Sequence, residues 1–139
     1  MGQNVINDYA TSIQWQLSDI ISPIPVYSNF NRNWATQEKF VTWHLTNVHQ
    51  PVYTGIPQNN KGIDTPLIEM NVYTKQMADC YDVANSIIQA LHGYQGMFGN
   101  PDTTGFAISK ADVAMRFQSY DDEIKLYNIS LDCTLYIPT

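Results

Sequence analysis

The stretch YNISLDCTLYI, residues 127–137, decides the fold. Tyr127, Ile129, Leu131, Cys133, Leu135 and Ile137 alternate with Asn128, Ser130, Asp132 and Thr134, the period of a β-strand that buries one face. Upstream, Val113, Met115 and Phe117 alternate in the same way, and Tyr120-Asp121-Asp122-Glu123 between the two runs has the polar character of a hairpin turn. The spacing predicts an antiparallel pair with Val113, Met115 and Phe117 on one face.

Further toward the N-terminus, Ile68, Met70 and Val72 alternate against Glu69, Asn71 and Tyr73 in a strand over residues 67–74, and Val41, Trp43 and Leu45 alternate against Thr42, His44 and Thr46 in another over 39–48. Two segments repeat at three and four instead. Ile6, Tyr9, Ala10, Ile13, Leu17, Ile20 and Ile21 form one helical stripe. This first helix stops at Ser22-Pro23-Ile24-Pro25, because proline lacks an N–H and drives the residue before it out of the helical region. An extended piece, Val26 to Phe30, follows. The second helix starts at Lys75 or Gln76 and runs to about His92. Met77, Cys80, Tyr81, Ala84, Ile87, Ile88 and Leu91 make its stripe, Asp79 and Asp82 meet the positive end of its dipole, and Gly93 follows it. Helix, strands, helix and strand pair predict an α+β fold: a mostly antiparallel sheet of four to five strands with two helices packed on one face.

At 139 residues, the chain is expected to be one domain, with about two thirds of its surface buried on folding. Residues 49–65, HQPVYTGIPQNNKGIDT, combine two prolines, two glycines and Asn59-Asn60 with Val52, Tyr53, Ile56 and Ile63. This predicts a long protruding loop that makes contacts. A second flexible stretch is expected from Gly93 to Gly105.

Charged residues are only 14% of the chain, while Asn 12, Gln 10, Thr 11 and Ser 8 supply neutral polar surface, which tolerates being packed against other protein. Thirteen acidic residues against seven basic give −6, unfavourable for gripping nucleic-acid phosphates. Cys80 and Cys133 have no metal-ligand spacing, so two buried, reduced thiols are expected. No run of about 18 apolar residues occurs, and MGQNVINDYA lacks a basic-then-apolar signal pattern, so the expectation is a soluble protein made in a cytosol, with no membrane partner.

No catalytic constellation emerges. His44 falls on the polar face of a strand, His49 opens the long loop and His92 ends a helix, so each reads as a surface or capping histidine. Gly93-Tyr94-Gln95-Gly96-Met97-Phe98-Gly99 follows a helix and precedes none, the wrong context for phosphate binding. Asp121-Asp122-Glu123 reads as a solvated turn. No catalytic, cofactor-binding or metal-ligating residue is assigned. The aromatic and apolar residues placed off the core pattern, Trp15, Trp34, Val52, Tyr53, Ile56, Ile63, Tyr94, Met97 and Phe98, are the candidate subunit or partner interface.

The layout of the whole chain resembles the phage tail terminator family, also called tail completion or tail-to-head joining proteins. The resemblance rests on the amphipathic first helix, Pro25-Val26-Tyr27, the strand over residues 40–48, the strand Ile68 to Thr74 leading to Ala84-Asn85-Ser86-Ile87-Ile88-Gln89-Ala90-Leu91, and the final strand pair. It implies a structural virion protein with no cofactor. Such a protein forms a hexameric ring on the tail tube, ends tail polymerisation, joins the head connector or stopper protein, and lets genomic DNA pass. It implies a place at the tail neck after assembly in the host cytoplasm. An excess of acid facing the bore would repel DNA phosphates. Two readings compete: an α+β protein- or glycan-binding module without a ring, and an enzyme whose site is not legible.

Overall fold

The computed structural model describes residues 6–47 and 63–138. In chain order its elements are α1 (Ile6–Ile20), β1 (Val26–Ser28), a 3-10 turn (Trp34–Thr36), β2 (Lys39–Asn47), β3 (Ile63–Asp64), β4 (Leu67–Thr74), α2 (Met77–Leu91), β5 (Gly96–Phe98), β6 (Phe106–Ile108), β7 (Lys110–Asp121) and β8 (Leu126–Pro138). The main sheet runs β1-β2-β4-β8-β7 from edge to edge. Every pair in it is antiparallel except β1 with β2.

β3 pairs with the far end of β8 in the register that β4 keeps, so β3 and β4 act as one strand interrupted at Thr65-Pro66. Pro66 has no N–H to give the ladder, but its carbonyl still accepts from Leu135 N at 3.1 Å. The sheet is therefore five strands wide. The loop expected over 49–65 accordingly stops short of Ile63, which is paired, and Val52, Tyr53 and Ile56 lie outside the described residues.

Period two puts the apolar residues on one face. Val41 faces Val72 and Trp43 faces Met70; Ile68, Met70 and Val72 face Cys133, Leu131 and Ile129; Val113 faces Cys133. All of these are buried. Both helices cover this face. α2 buries Cys80, Val83, Ala84, Ile87 and Leu91, and α1 buries Tyr9, Ile13 and Leu17, in one continuous core. Cys80 and Cys133 are free and buried.

The stretch expected to be flexible between Gly93 and Gly105 instead carries β5 and the connection to its hairpin partner β6, pinned to α1. Buried Gln16 accepts from Gly99 N at 2.9 Å, and Ser12 Oγ donates to Thr104 O at 3.0 Å. Gly99 sits at φ +95°, and a Cβ there would lie 2.5 Å from Ser12 Oγ, so glycine is what allows the close approach.

Candidate functional site

Strand alternation that buries one face turns polar residues to the other, and there β2, β4, β8 and β7 build a charged row. His44 is registered with Glu69, and Glu69 with Asp132. Arg116 bridges the two acids, with Nη1 3.0 Å from Glu69 Oε1 and Nε 3.4 Å from Asp132 Oδ2, while His44 Nε2 lies 3.5 Å from the same Glu69 oxygen. Partial desolvation pushes the Asp132 carboxyl above its ordinary range, the Arg116 charge pulls it back, and Glu69 adds to the rise. With both acids paired to the Arg116 guanidinium, the row ties β4, β7 and β8 together on this sheet face. Among the described residues no group of three or more His, Cys, Asp or Glu is placed to hold a metal.

The two edges of the sheet differ. At the β7 edge the start of the strand is covered: Gly93 N donates to Ala111 O at 2.7 Å, and Val113 N donates to His92 Nδ1 at 3.0 Å. His92 thus accepts a strand-edge hydrogen bond, which requires Nδ1 to be unprotonated. Beyond it, residues 114–121 are all exposed, and among the described residues no strand but β8 lies alongside them, which leaves their outer edge open. Met115, Phe117 and Tyr120 project from this open stretch. Its tip carries Asp121, whose Oδ1 accepts from the N–H groups of Glu123 and Ile124, followed by Asp122 and Glu123, none of them in an ion pair among the described residues.

The β1 edge is short, and two of its carbonyls are taken by neighbours. Gln14 Nε2 donates to Val26 O at 2.9 Å, and Phe30 N donates to Ser28 O at 2.9 Å. Between this edge and α1 lies an open, mainly apolar groove of about 600 Å³, lined by Ala10, Thr11, Gln14, Trp15, Ser18, Ser28 and Trp43. Trp15 is on its rim and half-exposed. Phe30, 64% exposed, and Trp34 stand close in sequence to the groove. Arg32 lies 5.9 Å over the Phe30 ring and has no carboxylate partner among the described residues.

The residues singled out from sequence do not form one site. Trp15 and Trp34 lie at the β1 end. Met97 is exposed on the β5–β6 hairpin, where Tyr94 donates its OH to the Met97 carbonyl. Phe98 is a correction: it is fully buried, with its ring 5.8 Å from Phe106, because β5 turns it into the core. The alternation Val113, Met115, Phe117 is a second correction. Only Val113 is buried. A bulge between Met115 and Phe117 sets Phe117 opposite Ser130 on the polar face, since one extra residue moves everything beyond it to the other side. Phe30, Met115 and Phe117 fit an extended or strand pattern and Tyr120 a turn, so no local signal in the sequence marks them as exposed apolar residues.

Two helices on one face of a five-stranded, mostly antiparallel sheet, with its polar face and a long edge uncovered among the described residues, define an α+β fold. Two solved structures share it. A chain of the native gene transfer agent virion matches with a TM-score of 0.63 and 12% identity, over 94% of this chain and 93% of that one. The sheath/tube terminator of an extracellular contractile injection system, PVC, in its extended state, matches with a TM-score of 0.52 and 10% identity, over 100% of this chain. This chain spans 58% of that terminator's length. No protein-family model and no curated protein matches the sequence. At these identities the likeness is one of fold.

Proposed function

We propose that the protein is a tail terminator: a non-enzymatic virion component that assembles as a hexameric ring on the end of a tail tube, stops its growth and receives the head connector. The observation that carries this reading is the full-length correspondence of the chain to part of a sheath/tube terminator. It is supported by a surface poor in charge and by apolar residues exposed at both ends of the sheet. In the ring, the single domain's segment 49–65, with Val52, Tyr53, Ile56 and Ile63, contacts a neighbour, as do Trp15, Trp34, Tyr94 and Met97. Genomic DNA passes through the bore unbound, because the net charge of −6 per chain repels phosphate. The site of action is the tail neck, reached after assembly in the host cytoplasm.

The test combines purified protein with its tail tube protein, followed by native mass spectrometry and electron microscopy. We expect a ring on tube ends and an arrest of elongation. A protein that stays monomeric with tubes present, while tubes keep growing, refutes the reading and favours a peptide- or glycan-binding module that uses the α1–β1 groove.

A further inference from the structure

We infer that the groove between α1 and β1 receives the open β7–β8 hairpin of a second copy of this chain, and that this one contact, repeated head to tail, closes the ring. The inference rests on the ring reading above and specifies its interface. The groove and the hairpin sit at opposite edges of the same sheet, so one copy offers both, and among the described residues it fills neither. A head-to-tail ring needs two such unlike surfaces on each subunit.

Shape and polarity agree. The groove is apolar, holds about 600 Å³ and has Trp15 on its rim. Beyond the point where His92 and Gly93 stop covering it, the hairpin edge presents Met115 and Tyr120 on the core face and Phe117 on the polar face. A side chain of that size fits a cleft of that volume. The outward carbonyls of Val26 and Ser28 on β1 already accept from Gln14 and Phe30, so the groove is the place for side chains of the second copy.

Charge selects the occupant. Among the described residues Arg32, four residues past the groove-lining Ser28, has no carboxylate partner, and Asp122 and Glu123 at the hairpin tip have no cation. Facing each other across a subunit boundary, they complete one another. If the groove took a tube residue instead, the hairpin edge and its tip would stay uncovered; a second copy covers both.

The experiment is a charge exchange at exposed positions, Arg32→Glu in one variant and Asp122→Lys with Glu123→Lys in another. Asp121 is left alone because it caps the turn. Ring formation with tube protein is read by native mass spectrometry, and circular dichroism verifies the fold. Each variant alone is expected to lower the ring population about tenfold, because like charges then meet at every boundary. An equimolar mixture restores it as a ring that alternates the two variants, a composition the mass identifies. Rings formed at wild-type levels by both variants overturn this interface while the ring reading stands. So does a mixture that fails to recover from two depleted variants. Absence of a ring from the wild-type protein with tubes overturns the ring reading and this inference together.

Discussion

Gln14 is the joint between α1, β1 and β2, and its removal has a calculable cost. Its Oε1 accepts from Trp43 Nε1 at 2.7 Å, and its Nε2 donates to Val26 O at 2.9 Å and Ser18 Oγ at 3.2 Å. Trp43 is 3% exposed, so Gln14→Leu strands an indole N–H where water reaches it poorly. Stranding a buried donor costs about 1–3 kcal/mol; Val26 O is near the open groove and regains water, which puts the total at about 2 kcal/mol. With a urea slope of about 2 kcal/mol per molar, the unfolding midpoint falls by about 1 M. Trp43→Phe removes the donor and some packing, for about another 2 kcal/mol. The double variant no longer carries an unmet N–H, so it should lose about 3 kcal/mol and not the sum, a coupling of about 1 kcal/mol. Urea titrations of the four proteins followed by circular dichroism measure this cycle. A neutral Gln14→Leu, or strict additivity, would show that the bond does not hold α1 to the sheet.

Two further outcomes follow from the core. Burial pushes the Cys133 thiol up to about 12, with Asp112 and Asp132 adding to the rise. The unfolded chain ionises this thiol near pH 9 while the fold keeps it protonated, so its contribution is intact below that pH and is lost as pH rises toward 12, at about 1.4 kcal/mol per pH unit. Stability profiles of wild type and Cys133→Ala between pH 8 and 11 should converge as pH rises; parallel profiles contradict the assignment. Gly99→Ala forces a positive φ on alanine and a Cβ 2.5 Å from Ser12 Oγ, for a loss of about 2–3 kcal/mol. Thermal unfolding measures it, and a loss below about 0.5 kcal/mol would mean that the hairpin can lift from α1.

Much of the architecture is local and therefore legible in sequence. Tyr127 to Ile137 and Ile68 to Val72 carry period two, the α1 and α2 stripes carry the helical repeat, and Pro23 and Gly93 mark where the helices stop. From these alone follow two helices on one face of a mostly antiparallel sheet, with Trp43 and both thiols buried. Tertiary structure decided what depends on partners far apart in the chain. The bulge between Met115 and Phe117 depends on how β7 meets β8, and it turned a residue read as core onto the polar face. Gly93 to Gly105 reads as loop because nothing within it reveals that Gln16 and Ser12, more than eighty residues earlier, hold it as a hairpin. Phe98 was misplaced for the same reason. Likewise the unequal sheet edges, one with carbonyls taken by Gln14 and Phe30 and one left open past His92, exist only once strand order and register are set. Periodicity says which face of a segment is buried; which neighbour covers it, and which edge is left for another molecule, is settled by contacts that no local pattern contains.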